Sequence, residues 1–327
     1  MKIQVRPEEE IIKKKMGKPL RIILISMGAL ATAIVLFLVT VFVANIFLNK
    51  SDQAKIKPYG QSVSVDGKNM NVLIQGKGEE TVVLLPGYGT VAPGLDFKLL
   101  IDELSPFYKV VTIEPFGYGL SDRTEKERTT ENIVSEIHEA VKQLNIDRYI
   151  LMAHSISGMY SLNYANKYPN EISAFVGIDN SIATEDRTNV KIPTGKLKLL
   201  RKSGLGRLLF KSSGNPYAEL PFDDETKEQL RLFTLRNTYN YTHLNEVEHM
   251  SSNYKGALNS TFPKDLPLLL FVQGDDTLLK DWISLHEEQV KNSVQGKLVK
   301  LDAGHYLHHT KSKEIAENFK TFMKEIK

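Results

Sequence analysis

The chain has 327 residues, of which 42% are hydrophobic and 25% are charged, a balance typical of a folded protein with one large domain or two small ones. The sequence contains no cysteine, which excludes disulfides, thiolate nucleophiles and zinc-thiolate sites. Collagen-like and disordered chains are excluded as well, because 21 glycines and 13 prolines fit neither composition.

The formal net charge of +3 is unevenly distributed. Residues 1–50 carry eight Lys and Arg against three Glu, whereas residues 51–327 carry 34 basic and 36 acidic residues. The positive balance therefore belongs to the N-terminal segment, and no nucleic-acid partner is expected.

The first predicted element is a helix over residues 22–48, a run of 27 residues without a charge. At about 1.5 Å per residue it would be roughly 40 Å long, enough to span a hydrocarbon core of about 30 Å. A cleaved signal peptide is disfavoured, because its apolar region normally has only about 7–15 residues. The basic residues that precede the run predict a cytoplasmic N-terminus.

We therefore expect a single-pass protein of the cytoplasmic membrane, with the lipid bilayer as its partner through residues 22–48. The predicted segments are a cytoplasmic flank (1–21), a signal anchor (22–48), a linker (49–58) and an extracytoplasmic domain (59–327).

Beyond the linker, hydrophobic periodicity predicts eight strands, near residues 61–65, 70–75, 81–85, 109–113, 149–153, 174–178, 267–273 and 297–301. Helical patterns lie between or after the later strands, near residues 97–104, 130–144, 158–168, 281–291 and 313–325. This order predicts an α/β fold with a mostly parallel eight-stranded sheet and helices on both faces.

Strand-helix alternation stops at about residues 181–262. The helical patterns there, near 196–209, 224–237 and 244–255, predict a helical cap inserted between two strands of the sheet.

A strand-to-helix turn carries the strongest chemical signal. The apolar strand 149–153 runs directly into Ala153-His154-Ser155-Ile156-Ser157-Gly158. A serine on such a sharp turn is held in a strained conformation that presents its hydroxyl at the carboxyl edge of the sheet. Ala153 and Ser157 are small enough for the turn to close, and Gly158 allows close packing of the helix. Ser155 is the predicted nucleophile, although the pentapeptide alone also fits a helix N-cap.

A second turn supports this prediction. Strand 81–85 ends in Pro86-Gly87-Tyr88-Gly89, whose backbone can present an N–H to an oxyanion. With these motifs the chain resembles the α/β-hydrolase superfamily, specifically its capped esterase, lipase and iminopeptidase branch, from about residue 58 to the C-terminus. The family elbow is commonly Gly-His-Ser-x-Gly-Gly and its oxyanion turn His-Gly-aromatic, whereas here the two motifs begin with Ala153 and Pro86.

The resemblance implies the remaining catalytic residues, in the chain order nucleophile, acid, histidine. The segment Gln273-Gly274-Asp275-Asp276-Thr277 looks like the family's acid loop, which indicates Asp276 as the acid and Asp275 as the alternative. The last strand opens into Asp302-Ala303-Gly304-His305, where the family carries its histidine. His305 would take the proton of Ser155, and the N–H groups of Tyr88 and Ile156 would hold the oxyanion.

Other histidines and one further aspartate near these motifs are interpreted as supporting or alternative residues. His154 is interpreted as a packing and hydrogen-bonding neighbour of the site. Asp179, which closes another strand, could serve as an alternative acid, but more often such a residue caps a turn. A metal cluster of His305, His308 and His309 is disfavoured, because no acidic ligand is evident. No metal and no cofactor are expected.

The prediction is a membrane-anchored serine hydrolase that acts on a small-molecule or lipid-like carboxylic ester. Serine at the elbow disfavours epoxide hydrolase and dehalogenase chemistry, which this superfamily performs with aspartate. The alternatives are a proline iminopeptidase or amidase, which needs a cap carboxylate, and a non-catalytic anchored binding module. Candidate cap carboxylates are Glu185, Glu219, Asp223, Asp224, Glu246 and Glu248. The sequence does not predict an oligomeric state.

Overall fold

The computed structural model describes residues 17–189, 191–274 and 281–327. The strands are β1 (Gln61–Val65), β2 (Lys68–Gln75), β3 (Thr81–Leu85), β4 (Lys109–Ile113), β5 (Tyr149–His154), β6 (Ile172–Ile178), β7 (Leu268–Gln273) and β8 (Gly296–Leu301). The helices are α1 (Lys18–Gln53), α2 (Pro93–Asp96), α3 (Lys98–Leu104), α4 (Thr130–Gln143), α5 (Ser157–Lys167), α6 (Thr194–Ser203), α7 (Leu205–Ser213), α8 (Asp224–Asn237), α9 (Tyr241–Ala257), α10 (Trp282–Lys291), α11 (Leu307–Thr310) and α12 (Ser312–Glu325). A short 3₁₀ helix covers Glu185–Asn189.

All eight strands form one sheet in the order β1-β2-β4-β3-β5-β6-β7-β8. The pairs β1–β2 and β2–β4 are antiparallel, and the other five pairs are parallel. The predicted mostly parallel α/β fold is therefore confirmed. The carboxyl ends of β3 to β8 meet at one edge, where open α/β sheets place their ligand sites.

The central strands of the sheet are buried on both faces. In β3, Val83 packs into the core that contains α4 and α5, while Val82 and Leu84 pack into the core that contains α3 and α12. Such continuous burial is the pattern of a parallel strand covered by helices on each side. The loops at the carboxyl edge are thus carried by a rigid scaffold.

The cap helices α6 to α9 lie between β6 and β7 in the chain. The prediction of one helix over 196–209 is wrong in one respect, because Gly204 adopts a left-handed conformation with φ +81° and separates α6 from α7. The cap is fastened to the sheet loops by Asn237, whose side-chain amide donates to the carbonyls of Val91 at 2.8 Å and Gly119 at 2.9 Å.

Helix α1 has 36 residues, and none of its most apolar 18-residue stretch is buried in the fold. It is the one helix of the described residues that is long and apolar enough to cross a membrane, which qualifies it as an anchor or a signal sequence. It continues to Gln53, so the first five residues of the predicted linker are helical. Its C-terminal part contacts α6, α7 and α8 of the cap.

Candidate active site

The turn after β5 has the geometry of a nucleophile elbow. Ser155 has φ +53°, a left-handed conformation that costs a non-glycine residue about 1 kcal/mol or more. Three backbone hydrogen bonds hold it there: Ser155 N–H donates to the Ile178 carbonyl at 3.2 Å, and the N–H groups of Gly158 and Ser181 donate to the Ser155 carbonyl at 2.9 and 2.8 Å. The neighbouring strand β6 therefore helps to fix the serine.

Ser155, His305 and Asp179 form a continuous hydrogen-bonded chain. Ser155 Oγ lies 2.9 Å from His305 Nε2, and His305 Nδ1 lies 2.6 Å from Asp179 Oδ2. Because an ionised carboxylate only accepts hydrogen bonds, Nδ1 carries the proton and Nε2 faces the serine hydroxyl as an acceptor. The imidazole is 41% exposed and the Asp179 side chain is fully buried.

Asp179 is held firmly in this position at the end of β6. Its Oδ1 accepts hydrogen bonds from the Gln273 backbone N–H at 3.1 Å and from Trp282 Nε1 at 2.9 Å. Its own backbone is left-handed, with φ +44°. Three donors thus converge on one carboxylate, which fixes its orientation toward His305.

The sequence indicated Asp276 or Asp275 as the acid, with Asp179 as a further alternative. The predicted Asp276 and its alternative Asp275 lie outside the described residues, and among the described residues the carboxylate on His305 is Asp179. The sequence signal that favours Asp179 is its position directly after β6, a buried strand that lies between β5 and β7.

The glycine-rich turn after β3 lies against the elbow. A Cβ atom on Gly87 would come within 2.6 Å of His154 Nδ1 and 3.0 Å of Ser155 Cβ, so only glycine permits this approach. Ser157 Oγ donates to the Pro86 carbonyl at 2.5 Å and ties the two turns together. Gly89 has φ +77°, which completes the turn.

The two predicted oxyanion donors each follow a residue of the two turns that meet at the serine. Tyr88 follows Gly87, and Ile156 follows Ser155. Within the described part of the chain, neither backbone N–H has a hydrogen-bond partner. Both donors are thus free for a ligand oxygen.

The start of α5 and the end of β5 also depend on small residues. Ala153 is fully buried at the end of the strand. A Cβ atom on Gly158 would lie 2.5 Å from Asn180 Cβ, so α5 packs directly on the loop that follows β6. Because of this contact, the loop that carries Asp179 lies beside the turn that carries Ser155 at the edge of the sheet.

His154 is a positioning residue in this arrangement. It is buried, and its Nε2 donates to the His305 carbonyl at 3.1 Å. Burial, then the nearby His308 and His305 imidazoles, lowers the pKa of His154 well below its usual value. The ring is therefore neutral and supports the His305 loop.

The His308–His309 pair has an acidic partner that the sequence did not reveal. His308 Nε2 donates to Asp96 Oδ2 at 2.8 Å, and His309 Nε2 donates to Asp96 Oδ1 at 3.0 Å. Although burial opposes it, these bonds hold the pKa of Asp96 below its usual value. The three side chains have the spacing of a metal-ligand group, but both imidazoles already donate to the carboxylate. The cluster fastens the His305 loop to α2.

A cavity of about 420 Å³ opens beside His305. It lies between the oxyanion turn, the His305 loop and the segment that joins α7 to α8, and its lining includes Gly89, Tyr217, Leu220, Tyr306 and His309. A larger cavity of about 690 Å³ lies at the opposite edge of the sheet, where β3, β5 and β6 begin. Of these two cavities, the first adjoins the Ser155–His305–Asp179 chain.

The cap places a buried acid behind the oxyanion turn. Glu246 accepts hydrogen bonds from the hydroxyls of Tyr118 at 2.7 Å and Tyr160 at 2.9 Å, and burial raises its pKa. His243, in the same helix, packs against the rings of Tyr88 and Tyr118. Burial, then the nearby Arg201, Arg123 and Arg128, lowers the pKa of His243 to about 3.

This buried histidine predicts a loss of stability in acid. Below pH 6.5 an unfolded chain protonates His243, whereas the folded chain resists protonation down to about pH 3, so the free energy of unfolding falls as the pH is lowered through this range. We expect His243→Gln to lose less stability than the wild type between pH 7 and pH 4.5, measured by urea unfolding in detergent. Equal losses in the two chains would contradict a buried neutral His243.

Comparison with known proteins places these features in a family context. Residues 80–312 match the family model described as the alpha/beta hydrolase fold. The chain is 31% identical over 265 residues to the uncharacterized protein YbdG of Bacillus subtilis strain 168, covering 79% of this chain and 81% of that protein.

Two solved structures show how different proteins share this fold. The epoxide hydrolase VrEH1 of Vigna radiata has a TM-score of 0.64 at 16% identity, covering 81% of this chain and 97% of its own. A bacterial membrane phospholipase A has a TM-score of 0.61 at 17% identity, covering 94% of this chain and 98% of its own. Since one fold serves both, the chemistry of this chain has to be argued from its own residues.

Proposed function

This chain belongs to the α/β-hydrolase family, and we propose that it is a membrane-anchored serine hydrolase that cleaves carboxylic esters by acyl transfer to water. The observation that carries the proposal is the hydrogen-bonded chain from Ser155 Oγ through His305 to Asp179. It supplies a nucleophile, a base within reach of its proton, and a carboxylate that orients the base.

The reaction follows from this geometry. Ser155 Oγ attacks the ester carbonyl carbon while its proton passes to His305 Nε2, and the carbonyl π electrons move to the oxygen. The N–H groups of Tyr88 and Ile156 hold that oxyanion. Its collapse breaks the ester C–O bond, and His305 returns the proton to the leaving alkoxide. In the second half of the reaction, His305 takes a proton from a water whose oxygen attacks the acyl carbon. The resulting intermediate collapses, the C–O bond to Ser155 breaks, and His305 returns the proton to Ser155 Oγ as the acid leaves.

We assign the acid role to Asp179. Its Oδ2 accepts from His305 Nδ1, which fixes the tautomer that leaves Nε2 free to take a proton and stabilises the imidazolium that forms. The family pattern around Asp276 indicated the loop after β7, whereas Asp179 follows the adjacent strand β6. In this assignment Asp275 and Asp276 are dispensable for orienting His305.

An ester is favoured over an epoxide because the residue at the elbow is serine. An acyl-serine can be hydrolysed by water at its carbonyl carbon, whereas an alkyl ether formed from an epoxide cannot. The aromatic and aliphatic side chains of Tyr217, Leu220 and Tyr306 around the cavity suit an apolar acyl chain. A lipid-like substrate is consistent with a span through residues 22–48, which would place the domain outside the cytoplasm with the N-terminus inside.

The iminopeptidase alternative lacks its required group in the described residues. A free amino terminus would need an available carboxylate in the cavity, and the only carboxylate among the described lining residues is Asp96, which already accepts from two histidines. Glu246 is likewise engaged by two tyrosine hydroxyls. Ester hydrolysis is therefore the better-supported reaction.

A substrate panel tests the proposed reaction class. The full chain in detergent would be assayed with p-nitrophenyl esters of increasing acyl length and with prolyl and other aminoacyl p-nitroanilides. We expect ester hydrolysis, faster with medium or long acyl chains than with acetate, and no comparable cleavage of the anilides. Preference for prolyl anilide would favour the iminopeptidase, and cleavage of neither class would favour the non-catalytic binding module.

A further inference from the structure

We infer that the exposed face of helices α6 and α7 docks on the surface of the same bilayer that α1 spans, in the headgroup region of the outer leaflet and with a preference for anionic lipid. This face, the α6–α7 surface, comprises Lys198, Leu199, Lys202, Leu208, Leu209 and Lys211. The inference rests on the proposed membrane anchor and deepens the proposed function, because it specifies where the substrate comes from.

The α6–α7 surface is fixed to α1 by close packing. The turn between the two cap helices lies so near α1 that a Cβ atom on Gly204 would come within 2.7 Å of Asn45 Cβ and 3.0 Å of the Val41 carbonyl. The left-handed Gly204, which the helix prediction missed, is thus the point of contact between cap and anchor.

Arg207 of α7 locks the two parts together. Its Nη1 donates to Asp52 Oδ2 at 2.5 Å, its Nη2 to Asn49 Oδ1 at 2.5 Å, and its Nε to Asn45 Oδ1 at 3.2 Å. One guanidinium therefore engages three successive turns of α1. Because of these bonds, the depth of α1 in the bilayer also sets the height of α6 and α7.

The length of the apolar run places this contact at the membrane surface. The run over 22–48 is about 40 Å long, whereas the hydrocarbon core is about 30 Å thick. If the span begins at the basic flank, about seven residues at the far end emerge from the core. Those residues, 42–48, include Asn45, which contacts the cap, and Val41, the other contact, lies at the edge of the core. Helices α6 and α7 then lie at headgroup level.

The composition of the α6–α7 surface fits that location. Residues 191–218 carry seven Lys and Arg and no Asp or Glu, whereas the rest of residues 51–327 carries 27 basic and 36 acidic residues. Leu199, Leu208 and Leu209 are 67%, 45% and 57% exposed beside these lysines. Lysines that flank exposed leucines are typical of helices that lie in the interface of an anionic membrane.

Docking would bring the catalytic cavity to the lipid. Helix α7 ends at Ser213, and the segment that follows it supplies Pro216, Tyr217 and Leu220 to the cavity beside His305. An ester lipid could then pass from the leaflet into the cavity without crossing bulk water. The substrate class is accordingly a membrane-resident acyl ester.

The absence of cysteine allows a direct depth measurement. Single cysteines at Leu208, at Leu30 in the middle of the span and at Val294, a 73% exposed residue in the loop before β8, would carry an NBD fluorophore. The full chain would be reconstituted in phosphatidylcholine vesicles with and without 30% phosphatidylglycerol, a composition chosen to be about one-third anionic. Lipids with nitroxide at a shallow or deep acyl position would quench the label.

We expect the Leu208 label to be blue-shifted and at least twofold quenched by the shallow nitroxide, more strongly with phosphatidylglycerol, while the Val294 label stays unquenched. Lys198→Glu/Lys202→Glu/Lys211→Glu should abolish the anionic-lipid dependence, and the matched triple variant of exposed lysines elsewhere, Lys291→Glu/Lys313→Glu/Lys324→Glu, should leave it unchanged. Trp282 emission checks that each variant is folded.

The outcomes separate the possible failures. A deeply quenched Leu30 label with an unquenched Leu208 label would overturn the docking inference and leave the anchor standing. An unquenched Leu30 label would overturn the anchor and the inference together. A Leu208→Cys chain that forms disulfide dimers without lipid quenching would identify a second copy as the occupant and overturn membrane docking. None of these readouts depends on hydrolysis, so a failed esterase assay would be a distinct result.

Discussion

Replacing Ser155 with alanine is expected to lower kcat for ester hydrolysis by about 10⁶-fold, because the variant has no hydroxyl to form the acyl intermediate. His305→Ala should lose a similar amount, since Ser155 then has no base at 2.9 Å. Initial rates on a soluble p-nitrophenyl ester measure both effects.

The two substitutions are also expected to be non-additive. Because nucleophile and base act as one unit, Ser155→Ala/His305→Ala should be about as slow as either single variant. Trp282, the only tryptophan of the chain, reports whether the site is folded, since its indole donates to Asp179. A folded Ser155→Ala chain with more than a tenth of wild-type activity would rule out this nucleophile.

Asp179→Asn carries the second large prediction, a loss of about 10⁴-fold in kcat. An amide can turn its NH₂ toward His305 Nδ1, which would favour the tautomer with the proton on Nε2 and leave no base for Ser155. The oxygen of asparagine can still accept from Gln273 N–H and Trp282 Nε1, so the fold should be retained. Activity and tryptophan emission, measured together, distinguish a loss of the base from a loss of the fold.

The matched controls are Asp276→Asn and Asp275→Asn. If Asp179 orients His305, each of these variants should retain activity within about tenfold of the wild type, because neither carboxylate is needed to fix the tautomer. A loss at Asp276 that equals or exceeds the loss at Asp179 would return the acid role to the loop after β7.

The sheet could be predicted from sequence because its signals are local. Continuous apolar runs such as Val82–Leu85 mark buried parallel strands, and the stripe of Ile133, Ile137 and Val141 marks the buried face of α4. The small residues around Ser155 indicate a sharp strand-to-helix turn that few other sequences can form. Each of these features is encoded within a short stretch of chain.

The contacts that the sequence did not reveal join distant parts of the chain. Asp179 and His305 are separated by 126 positions, and Asp96 and His308 by 212. A carboxylate after a strand fits a turn cap as well as a partner of the histidine, and the contact of Asp179 with His305 depends on the packing of β6 beside β5 and β7.

The break at Gly204 has a similar origin. Residues 196–209 have a helical pattern throughout, and a single glycine is tolerated within a helix at a cost of about 1 kcal/mol. The left-handed turn is decided by the approach of α1 at Asn45 and by the bonds of Arg207, neither of which leaves a periodic signal in the sequence.

Covalent labelling tests the central claim most directly. The full chain would be treated with a fluorophosphonate, and the adduct would be located by intact mass and peptide mapping. We predict one phosphonyl group on Ser155 of the wild-type chain, and none on Ser155→Ala. A folded wild-type chain that forms no adduct, or that is labelled at another residue while Ser155 stays unmodified, would contradict the proposed serine hydrolase.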